Sequence, residues 1–339
     1  MMRGMPGSWA VTACITGAII LGATAAAAPT PAPAPPVPPP ASELHILPVQ
    51  GNIYMLVGAG GNITVQTGDD GVLLVDTGLA ANSGKVLAAV RTLSGKPIRY
   101  IIDTHVHPDH VGGNEAISKA GATIAGGNVV GDIGTSASSQ ATIMAFQTVA
   151  DRMGTPAAGA PAAPQGALPT DTYTTPERKI FFDNEGVEMI HVPAAHTDGD
   201  TMVFFRRSDV ISTGDIFVTN GYPIVDLDRG GNIQGVIAGL NRIIELAIPA
   251  DEQEGGTLII PGHGRLCDVA DVVYYQEMVT IIRDRIQDMI SKGMSLEQIK
   301  AAKPTRDYDP RYGSTTGFWT TDKFIAAVYA SLRSPEGSK

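Results

Sequence analysis

The amino-acid sequence predicts an α/β fold. Two observations carry this prediction: short β-branched or apolar runs alternate with segments of helical spacing, and polar residues recur where the apolar runs end. Alternating strands and helices pack in layers, and such folds commonly place their sites at the carboxyl ends of strands. No internal repeat is evident in the 339 residues, so residues 43–335 are predicted to form a single domain.

The first part of this domain predicts strands joined by short turns, followed by a helix. The sequence is strand-like from His45 onward, and its apolar runs are separated by Gly, Asn and Asp, as in consecutive strands. The predicted strands are Ile53–Val57, Ile63–Gln66, Val72–Val75 and Ile98–Ile102. Ser83–Leu93 has helical spacing and is stopped by Gly95-Lys96-Pro97, and a second helix is predicted after Asn114.

The second part begins irregularly and then returns to the same alternation. Gly126–Thr175 has no clear pattern, and its stretch rich in Ala, Gly and Pro, Gly154–Pro169, predicts a flexible loop. Strands are then predicted at Lys179–Phe182, Val187–Val192, Thr201–Phe205, Val210–Ser212 and Thr257–Ile260. Helices are predicted at Ile233–Leu246 and Val269–Ile290, with two more between Ser295 and Leu332.

The N-terminus predicts an exported protein. Arg3 precedes an apolar stretch of small residues, Val11–Ala28, which resembles a secretory signal peptide covering residues 1–28. Residues 29–42 alternate Ala and Pro and are predicted to be a linker. A periplasmic or secreted location follows, and a retained N-terminal membrane anchor is the alternative. After cleavage Cys267 is the only cysteine left, so no internal disulfide is predicted.

The net charge of the chain indicates which kind of binding partner to expect. The formal net charge is −10, and without a basic stripe the chain has nothing to neutralise phosphates, so nucleic acid is not predicted as a partner. The predicted partner is a small-molecule substrate, and contact with a membrane is expected only if the leader is retained. The sequence favours no particular oligomeric state.

A cluster of histidines follows the strand Ile98–Ile102. Three of the seven histidines, His105, His107 and His110, lie here with Asp109. Histidine is the commonest metal ligand, and mixed nitrogen and oxygen donors suit zinc. Side chains two apart on a strand point the same way, so His105 and His107 can hold one ion together. Asp109 and His110 come after Pro108 and can turn toward a second ion. The alternative is an exposed polar loop.

Three further polar residues lie at exits from apolar runs. His196, Asp215 and His263 each have Gly or Pro within three positions, which allows the backbone to approach closely. Taken singly, His263 could be a turn residue and Asp215 a helix cap. The joint pattern favours a shared metal site.

These residues resemble the motifs of the metallo-β-lactamase superfamily of binuclear metallohydrolases. The resemblance covers roughly His45 to Glu277. Its motifs are Leu73–Gly78, Thr104–Gly113, Ala195-His196-Thr197, Thr213-Gly214-Asp215 and Pro261-Gly262-His263-Gly264. The resemblance implies a four-layer αββα sandwich, in which two mixed sheets pack face to face under outer helices.

The resemblance also implies the role of each ligand. His105, His107 and His196 would hold one metal, and Asp109, His110 and His263 the other, with Asp215 bridging both. Asp76 would orient a ligand imidazole without touching metal. Two zinc ions per chain are expected, although carboxylate donors also admit iron or manganese.

Such a site implies hydrolysis. Two cations that share a water lower its pKa toward about 7 and supply hydroxide, which Asp109 can orient. The segment Asn220–Asp226 is expected to form one wall of the pocket. Within that segment, Tyr222 can donate to a developing oxyanion or serve as a packed aromatic. His191 is predicted to be structural and Cys267 a packed thiol.

The sequence indicates the type of reaction more clearly than it indicates the substrate. A cyclic amide or ester, with a β-lactam or lactone as leading candidate, is the main hypothesis. Thr104–Asn114 resembles glyoxalase II, a thioester hydrolase, but that enzyme's Gly-Cys-Gly-Arg element is missing after Asp215. Phosphotriester hydrolysis also fits the ligand set. Cysteine-using β-lactamases have Cys where this chain has Asp215, which weakens the β-lactam prediction.

Two alternative functions outside hydrolysis remain. A mononuclear iron oxygenase resembling the persulfide dioxygenases would use the same scaffold. A binding module without activity would require a broken ligand set, and none of the seven predicted ligand positions is broken.

Overall fold

The computed structural model describes residues 43–122, 140–155 and 162–333. The strands of this part are β1 His45–Gln50, β2 Ile53–Val57, β3 Ile63–Thr67, β4 Val72–Val75, β5 Ile98–Ile102, β6 Thr142–Phe146, β7 Asp171–Tyr173, β8 Glu177–Phe182, β9 Glu185–His191, β10 Thr201–Phe205, β11 Val210–Ser212 and β12 Leu258–Ile260. The α-helices are α1 Ser83–Leu93, α2 Pro108–Val111, α3 Asn114–Lys119, α4 Gln147–Gly154, α5 Ile233–Leu246, α6 Val269–Ser291, α7 Leu296–Ala302, α8 Asp309–Tyr312 and α9 Thr321–Arg333.

The described strands form two mixed sheets. The first is seven-stranded with the order β1-β2-β3-β4-β5-β6-β7, and the second is five-stranded with the order β12-β11-β10-β9-β8. In the first sheet β1 to β4 are antiparallel, and β4 to β7 are parallel. In the second sheet β11 and β12 are parallel, while the other neighbours are antiparallel.

Alternating side chains explain how the layers stack. In β4, Leu73 and Val75 lie in the core shared by the two sheets, whereas Val72 and Leu74 lie in the core between the first sheet and α1. This is the two-residue period of a strand buried on both faces. The second sheet packs its outer face against α5, α6 and α9 in a third core. The predicted αββα sandwich is therefore confirmed.

One region differs from the sequence prediction. Gly126–Thr175 was expected to lack regular structure, but its described part contains β6, α4 and β7. The strand β7 has only three residues and pairs in parallel with β6, so its conformation depends on a partner that local composition does not report. Within the predicted flexible loop Gly154–Pro169, residues 156–161 lie outside the described residues. Residues 165–167 form a 3-10 turn, in which Ala167 is buried.

The leader falls outside the described residues as well. The predicted signal peptide at 1–28, the linker at 29–42 and the alternative of a retained anchor therefore stay predictions. Among the helices that the structure does describe, none combines the length and the apolar character needed to cross a membrane.

Candidate metal centre

The predicted ligands converge at one edge of the sandwich because they follow strands that end there. The histidine cluster follows β5 and leads into α2, which begins at Pro108. Asp215 lies in the 3-10 turn Gly214–Ile216 after β11, and His263 follows β12, the parallel neighbour of β11. His196 lies in the turn between β9 and β10. Residues far apart in the chain are thereby brought within contact distance.

A first group of donors surrounds His107. Nδ1 of His107 lies 3.1 Å from Nε2 of His105 and 2.8 Å from Nε2 of His196. Oδ2 of Asp215 lies 4.0 Å from His105 Nε2 and 3.7 Å from His196 Nε2. One nitrogen of each imidazole and one carboxylate oxygen therefore face a common point, which is the arrangement that a tetrahedral metal site requires.

A second group of donors lies beside the first. Nε2 of His263 lies 3.2 Å from Oδ2 of Asp109 and 3.4 Å from Nε2 of His110. His110 Nε2 lies 3.8 Å from the same Asp109 oxygen. The structure thus brings all seven predicted ligand residues into two adjacent groups with the division that the resemblance implied.

Asp215 connects the two groups. Its Oδ2 faces the first group, while its Oδ1 lies 3.2 Å from His110 Nε2 and 3.5 Å from His263 Nε2. Oδ1 is buried and accepts no hydrogen bond from any described residue. A buried oxygen without a partner is costly, and a cation between it and the imidazole nitrogens would remove that cost. The donor set fits a pair of divalent metal ions.

The outward nitrogens of three imidazoles are held by neighbouring groups. Nδ1 of His110 lies 2.7 Å from Oδ2 of Asp76, and Nδ1 of His196 lies 2.7 Å from a backbone carbonyl oxygen, that of Ile224. Nδ1 of His105 lies 3.0 Å from the Thr104 hydroxyl. Such partners fix the tautomer and the ring orientation of a ligand histidine. Asp76 lies where the resemblance placed it, behind a ligand rather than among the ligands.

The fourth imidazole has a partner that the sequence analysis did not single out. Nε2 of His107 lies 2.8 Å from Oδ2 of Asp226, and Arg229 donates to the same oxygen at 2.7 Å. Burial alone would raise the pKa of Asp226, but the hydrogen bonds from His107 and Arg229 hold that pKa below its ordinary value. Asp226 was expected only as part of a pocket wall, since nothing in its local sequence indicates that it faces His107.

The charge states of His105, His196 and Asp215 suit metal binding. Burial lowers the pKa of His196 to about 4 and that of His105 well below its ordinary value, so both imidazoles keep a free lone pair. Burial would raise the pKa of Asp215, but the nearby His110 outweighs burial and holds it well below the ordinary value. A neutral imidazole and an ionised carboxylate are the forms in which these groups bind metal. Burial would lower the pKa of His110, but the carboxylates of Asp215 and Asp76 outweigh burial and raise that pKa, so a metal ion that binds there displaces a proton.

Close backbone approach explains two of the flanking glycines. A Cβ at Gly61 would lie 2.5 Å from the His110 ring, and one at Gly262 would collide with the Asp215 carboxylate. Only a residue without a side chain lets these loops pass so near the ligands.

Tyr222 is not placed as an oxyanion donor. Its hydroxyl donates to Oδ1 of Asp309 at 2.9 Å or to the carbonyl oxygen of Thr305 at 3.2 Å, and its ring stacks on Phe324. A hydroxyl has one hydrogen to donate, and that hydrogen is engaged on the side of α8. The expectation that Tyr222 donates to the reacting group is therefore replaced by its alternative, a packed aromatic.

The two remaining singled-out residues lie among protein groups. His191 stacks on Phe146 with ring centroids 3.5 Å apart, and its Nδ1 lies 3.0 Å from the Asp200 carbonyl oxygen. Cys267 is a buried free thiol that donates to the carbonyl oxygen of Arg265, and burial raises its pKa to about 12. Both environments agree with the predicted structural role and packed thiol.

A cavity of about 470 Å³ opens onto the donor groups. His107, Asp109, Asp215 and His263 form its floor. One wall comes from the predicted segment after Asp215, and a second comes from residues 312–321, which no motif in the sequence connects with the site. Beyond the ligands, every described side chain of the lining is uncharged.

Comparison with known proteins finds similarity to alkylsulfatases and to metallo-β-lactamases. It is 25% identical over 273 residues to a linear primary-alkylsulfatase of Pseudomonas sp. (strain ATCC 19151), a match that covers 71% of this chain and 50% of that enzyme. The solved structure of an inverting sec-alkylsulfatase from Pseudomonas sp. matches with a TM-score of 0.62 and 17% identity, over 86% of this chain and 50% of the other. The chain thus spans half the length of each of these two alkylsulfatases.

A smaller solved structure matches over nearly its whole length. A metallo-β-lactamase from Pontibacter korlensis has a TM-score of 0.52 and 14% identity, over 70% of this chain and 99% of that protein. At such identities the structural matches speak for the fold alone. The family model of the metallo-β-lactamase superfamily matches residues 56–263, which hold all seven ligand positions. The predicted family is confirmed: this chain belongs to the metallo-β-lactamase superfamily.

Proposed function

We propose that this chain is a binuclear metal-dependent hydrolase that opens a cyclic ester or a cyclic amide, with lactones as the leading substrates and β-lactams next. The observation that carries the proposal is the buried Asp215 carboxylate, which presents one oxygen to each of two adjacent donor groups. Membership of the superfamily and the alkylsulfatase relative both support a metal-dependent hydrolase.

The chain itself supplies the residues that would bind the metal ions and one carboxylate that can accept a proton. Two zinc ions bound there would supply Lewis acidity and an activated water at neutral pH. Asp109 is the most exposed carboxylate of the two groups, with 34% of its side chain accessible, and it lines the cavity. Its carboxylate is held by His263 at 3.2 Å. From this position Asp109 can accept a hydrogen bond from the attacking water and receive its proton.

The walls of the cavity favour a neutral substrate. Beyond the ligands its described lining consists of apolar, aromatic and uncharged polar side chains, among them Ile224, Trp319 and Asn220. An uncharged lactone or ester can bury its apolar part there without leaving a charge unpaired. The carboxylate that a β-lactam carries beside its reacting amide would meet no lysine or arginine side chain in the described lining, which puts lactones ahead.

Sulfate-ester hydrolysis is the second candidate, because of the relative identified as a linear primary-alkylsulfatase. An alkyl sulfate combines an apolar chain, which suits the walls, with an anionic head that the metal ions would attract. Thioesters and phosphotriesters remain further alternatives for the same ligand set.

A substrate panel tests the proposal. Purified protein reconstituted with zinc would be assayed on lactones, chromogenic β-lactams, p-nitrophenyl esters, alkyl sulfates, a thioester and a phosphotriester. The expected result is turnover of lactones or carboxylic esters that a chelator abolishes and zinc restores. Turnover of alkyl sulfates alone would replace the main candidate with the second. Chelator-insensitive turnover, or none on any class with two metals bound, would refute the hydrolase proposal.

The identity and number of the metal ions are part of the proposal. We expect two zinc ions per chain, measured by elemental analysis of the purified protein. About one iron per chain together with oxygen uptake on a persulfide would instead favour the oxygenase alternative.

Export is the last part of the proposal, and it rests on the sequence of residues 1–28 alone. Mass spectrometry of the protein recovered from a periplasmic fraction tests it. A cleaved N-terminus near Ala28 is expected, and an intact leader in the membrane fraction would favour the retained anchor.

A further inference from the structure

A second wall of the cavity comes from a part of the chain beyond the family-matched region, which ends at residue 263. Phe318 and Trp319 lie on this wall and share the cavity with His107 and Asp109. Residues 313–320, hereafter the C-terminal loop, connect α8 with α9. The seven ligand positions thus lie within the family-matched residues, whereas this wall lies beyond them.

The C-terminal loop is closed and held at its base. The Thr321 amide donates to the Ser314 carbonyl oxygen at 2.8 Å, and the Ser314 amide donates to the Thr321 hydroxyl at 3.1 Å. Lys323 Nζ donates to the carbonyl oxygen of Phe318 at 2.7 Å. These bonds pin both ends of the loop and its aromatic tip.

The helix behind the loop is part of the core. Phe324, in the first turn of α9, is fully buried and stacks on Tyr222 with ring centroids 4.7 Å apart. Tyr222 itself lines the cavity. The position of the aromatic wall is therefore tied to the same packing that shapes the pocket.

Phe318 is the most exposed large apolar side chain in the described part of the chain, with 76% of its surface accessible. Trp319 beside it is partly buried, and its indole Nε1 has no hydrogen-bond partner among the described residues. An exposed aromatic ring at the rim of a pocket gains free energy when an apolar ligand covers it. The lining next to it, with Val218 and Ile224, continues the apolar surface.

We propose that the C-terminal loop determines substrate specificity by binding the apolar part of the ester, with Phe318 covering an alkyl or aryl group while the ester lies over the donor groups. This inference rests on the proposed hydrolase function and adds the substrate class: esters with an apolar group of several carbons are preferred over short ones. The experiments below distinguish a failure of the proposed role of the C-terminal loop from a failure of the proposed hydrolase function.

The kinetic test compares chain lengths. Zinc-loaded full-length protein would be assayed on p-nitrophenyl acetate, butyrate and octanoate, and kcat/KM is expected to rise from acetate to octanoate. Phe318→Ala should lower the octanoate-to-acetate ratio of kcat/KM by roughly tenfold, because the ring no longer covers the chain. Phe318→Leu should restore most of the ratio.

A matched control is available in Phe181, which has the same side chain and is 75% accessible, but lies on β8 and does not line the cavity. Phe181→Ala should leave the ratio as in the unaltered protein. An unchanged ratio in Phe318→Ala, or an equal drop in both variants, would overturn the role of the loop.

A binding test works even without turnover. The chain has two tryptophans, Trp9 in the predicted leader and Trp319. Trp9→Phe in the full-length protein therefore leaves Trp319 as the single tryptophan reporter in the cavity. Titration with 1-octanol should give a saturable change in emission, and adding Phe318→Ala should raise the half-saturating concentration by roughly fivefold, whereas adding Phe181→Ala should not. A linear, unsaturable response would overturn the inference. Saturable binding with no hydrolysis of any ester would instead support the binding role of the C-terminal loop and refute the proposed function.

Discussion

Nε2 of His107 lies 2.8 Å from the Asp226 carboxylate, although the two residues are 119 positions apart in the chain. This contact leaves Nδ1 as the nitrogen that faces His105 and His196. Asp226 is itself fixed by Arg229 and by its own backbone amide, which donates to the carbonyl oxygen of His196 at 3.0 Å. The turn that begins at Asp226 thus contacts two ligand residues: it contacts His107 through the Asp226 carboxylate and His196 through the Asp226 backbone amide.

Replacing Asp226 should weaken metal binding in the first donor group. In Asp226→Ala the His107 ring loses the acceptor that fixes its tautomer, and loss of such a partner costs about 10- to 100-fold in metal affinity. Zinc affinity would be measured by competition with a chromogenic chelator. Asp228→Ala, an exposed aspartate of the same turn, is the control and should bind zinc normally. Equal affinities in both variants would show that Asp226 does not orient His107.

Removing the shared carboxylate should affect both donor groups. Asp215→Ala takes one oxygen from each group, so the purified variant is expected to hold less than two zinc ions per chain and to show no turnover. His191→Ala is the contrasting change, because His191 stacks on Phe146 and is not part of either group. It should lower the free energy of unfolding by about 1 kcal/mol and keep its metal. Elemental analysis and thermal unfolding measure the two effects, and a metal-depleted His191→Ala would contradict the structural role.

Asp76→Asn should separate orientation from coordination. Asp76 has a φ of 66°, a left-handed conformation that asparagine also tolerates, so the backbone should be retained. Its Oδ2 faces Nδ1 of His110 and accepts the Thr104 hydroxyl, while its Oδ1 accepts the Thr104 backbone amide. The side-chain amide of asparagine has a single acceptor oxygen and cannot replace both carboxylate oxygens. Zinc content should therefore stay near normal while turnover falls by about tenfold. Asp69→Asn, in the exposed turn before β4, is the control, and an undiminished rate in Asp76→Asn would refute the orienting role.

The ligand residues could be predicted from sequence because each lies next to a strand end within a short motif. His105, His107, Asp109 and His110 are separated by one or two positions, and Gly or Pro within three positions of His196, Asp215 and His263 marks the loops that approach them. Because these loops follow strands that end at the same edge of the layered fold, the ligand residues on them are expected to lie close together.

What could not be predicted depends on contacts between distant segments. Asp226 has no local pattern that assigns it to His107, because its direction is set by a turn that folds back on His196. The strands β6 and β7 are short and form through pairing with β5 and with each other. The aromatic wall with Phe318 depends on how α9 packs on Tyr222. Sequence periodicity reports which face of an element is buried, but not which distant loop lies against it.

Tyr222→Phe should reduce stability rather than the rate of the chemical step. The hydroxyl of Tyr222 donates toward Asp309 and Thr305, and burial raises its pKa, so removing the hydroxyl breaks a hydrogen bond to α8 while the ring still stacks on Phe324. The free energy of unfolding should fall by about 1 kcal/mol, as for a typical intramolecular hydrogen bond, and kcat on a good substrate should change by less than about threefold. Had the hydroxyl stabilised an oxyanion, its loss would lower kcat by about 100-fold or more. Denaturant unfolding and steady-state kinetics on the same preparation distinguish these outcomes, and a large fall in kcat at unchanged stability would return Tyr222 to the reaction centre.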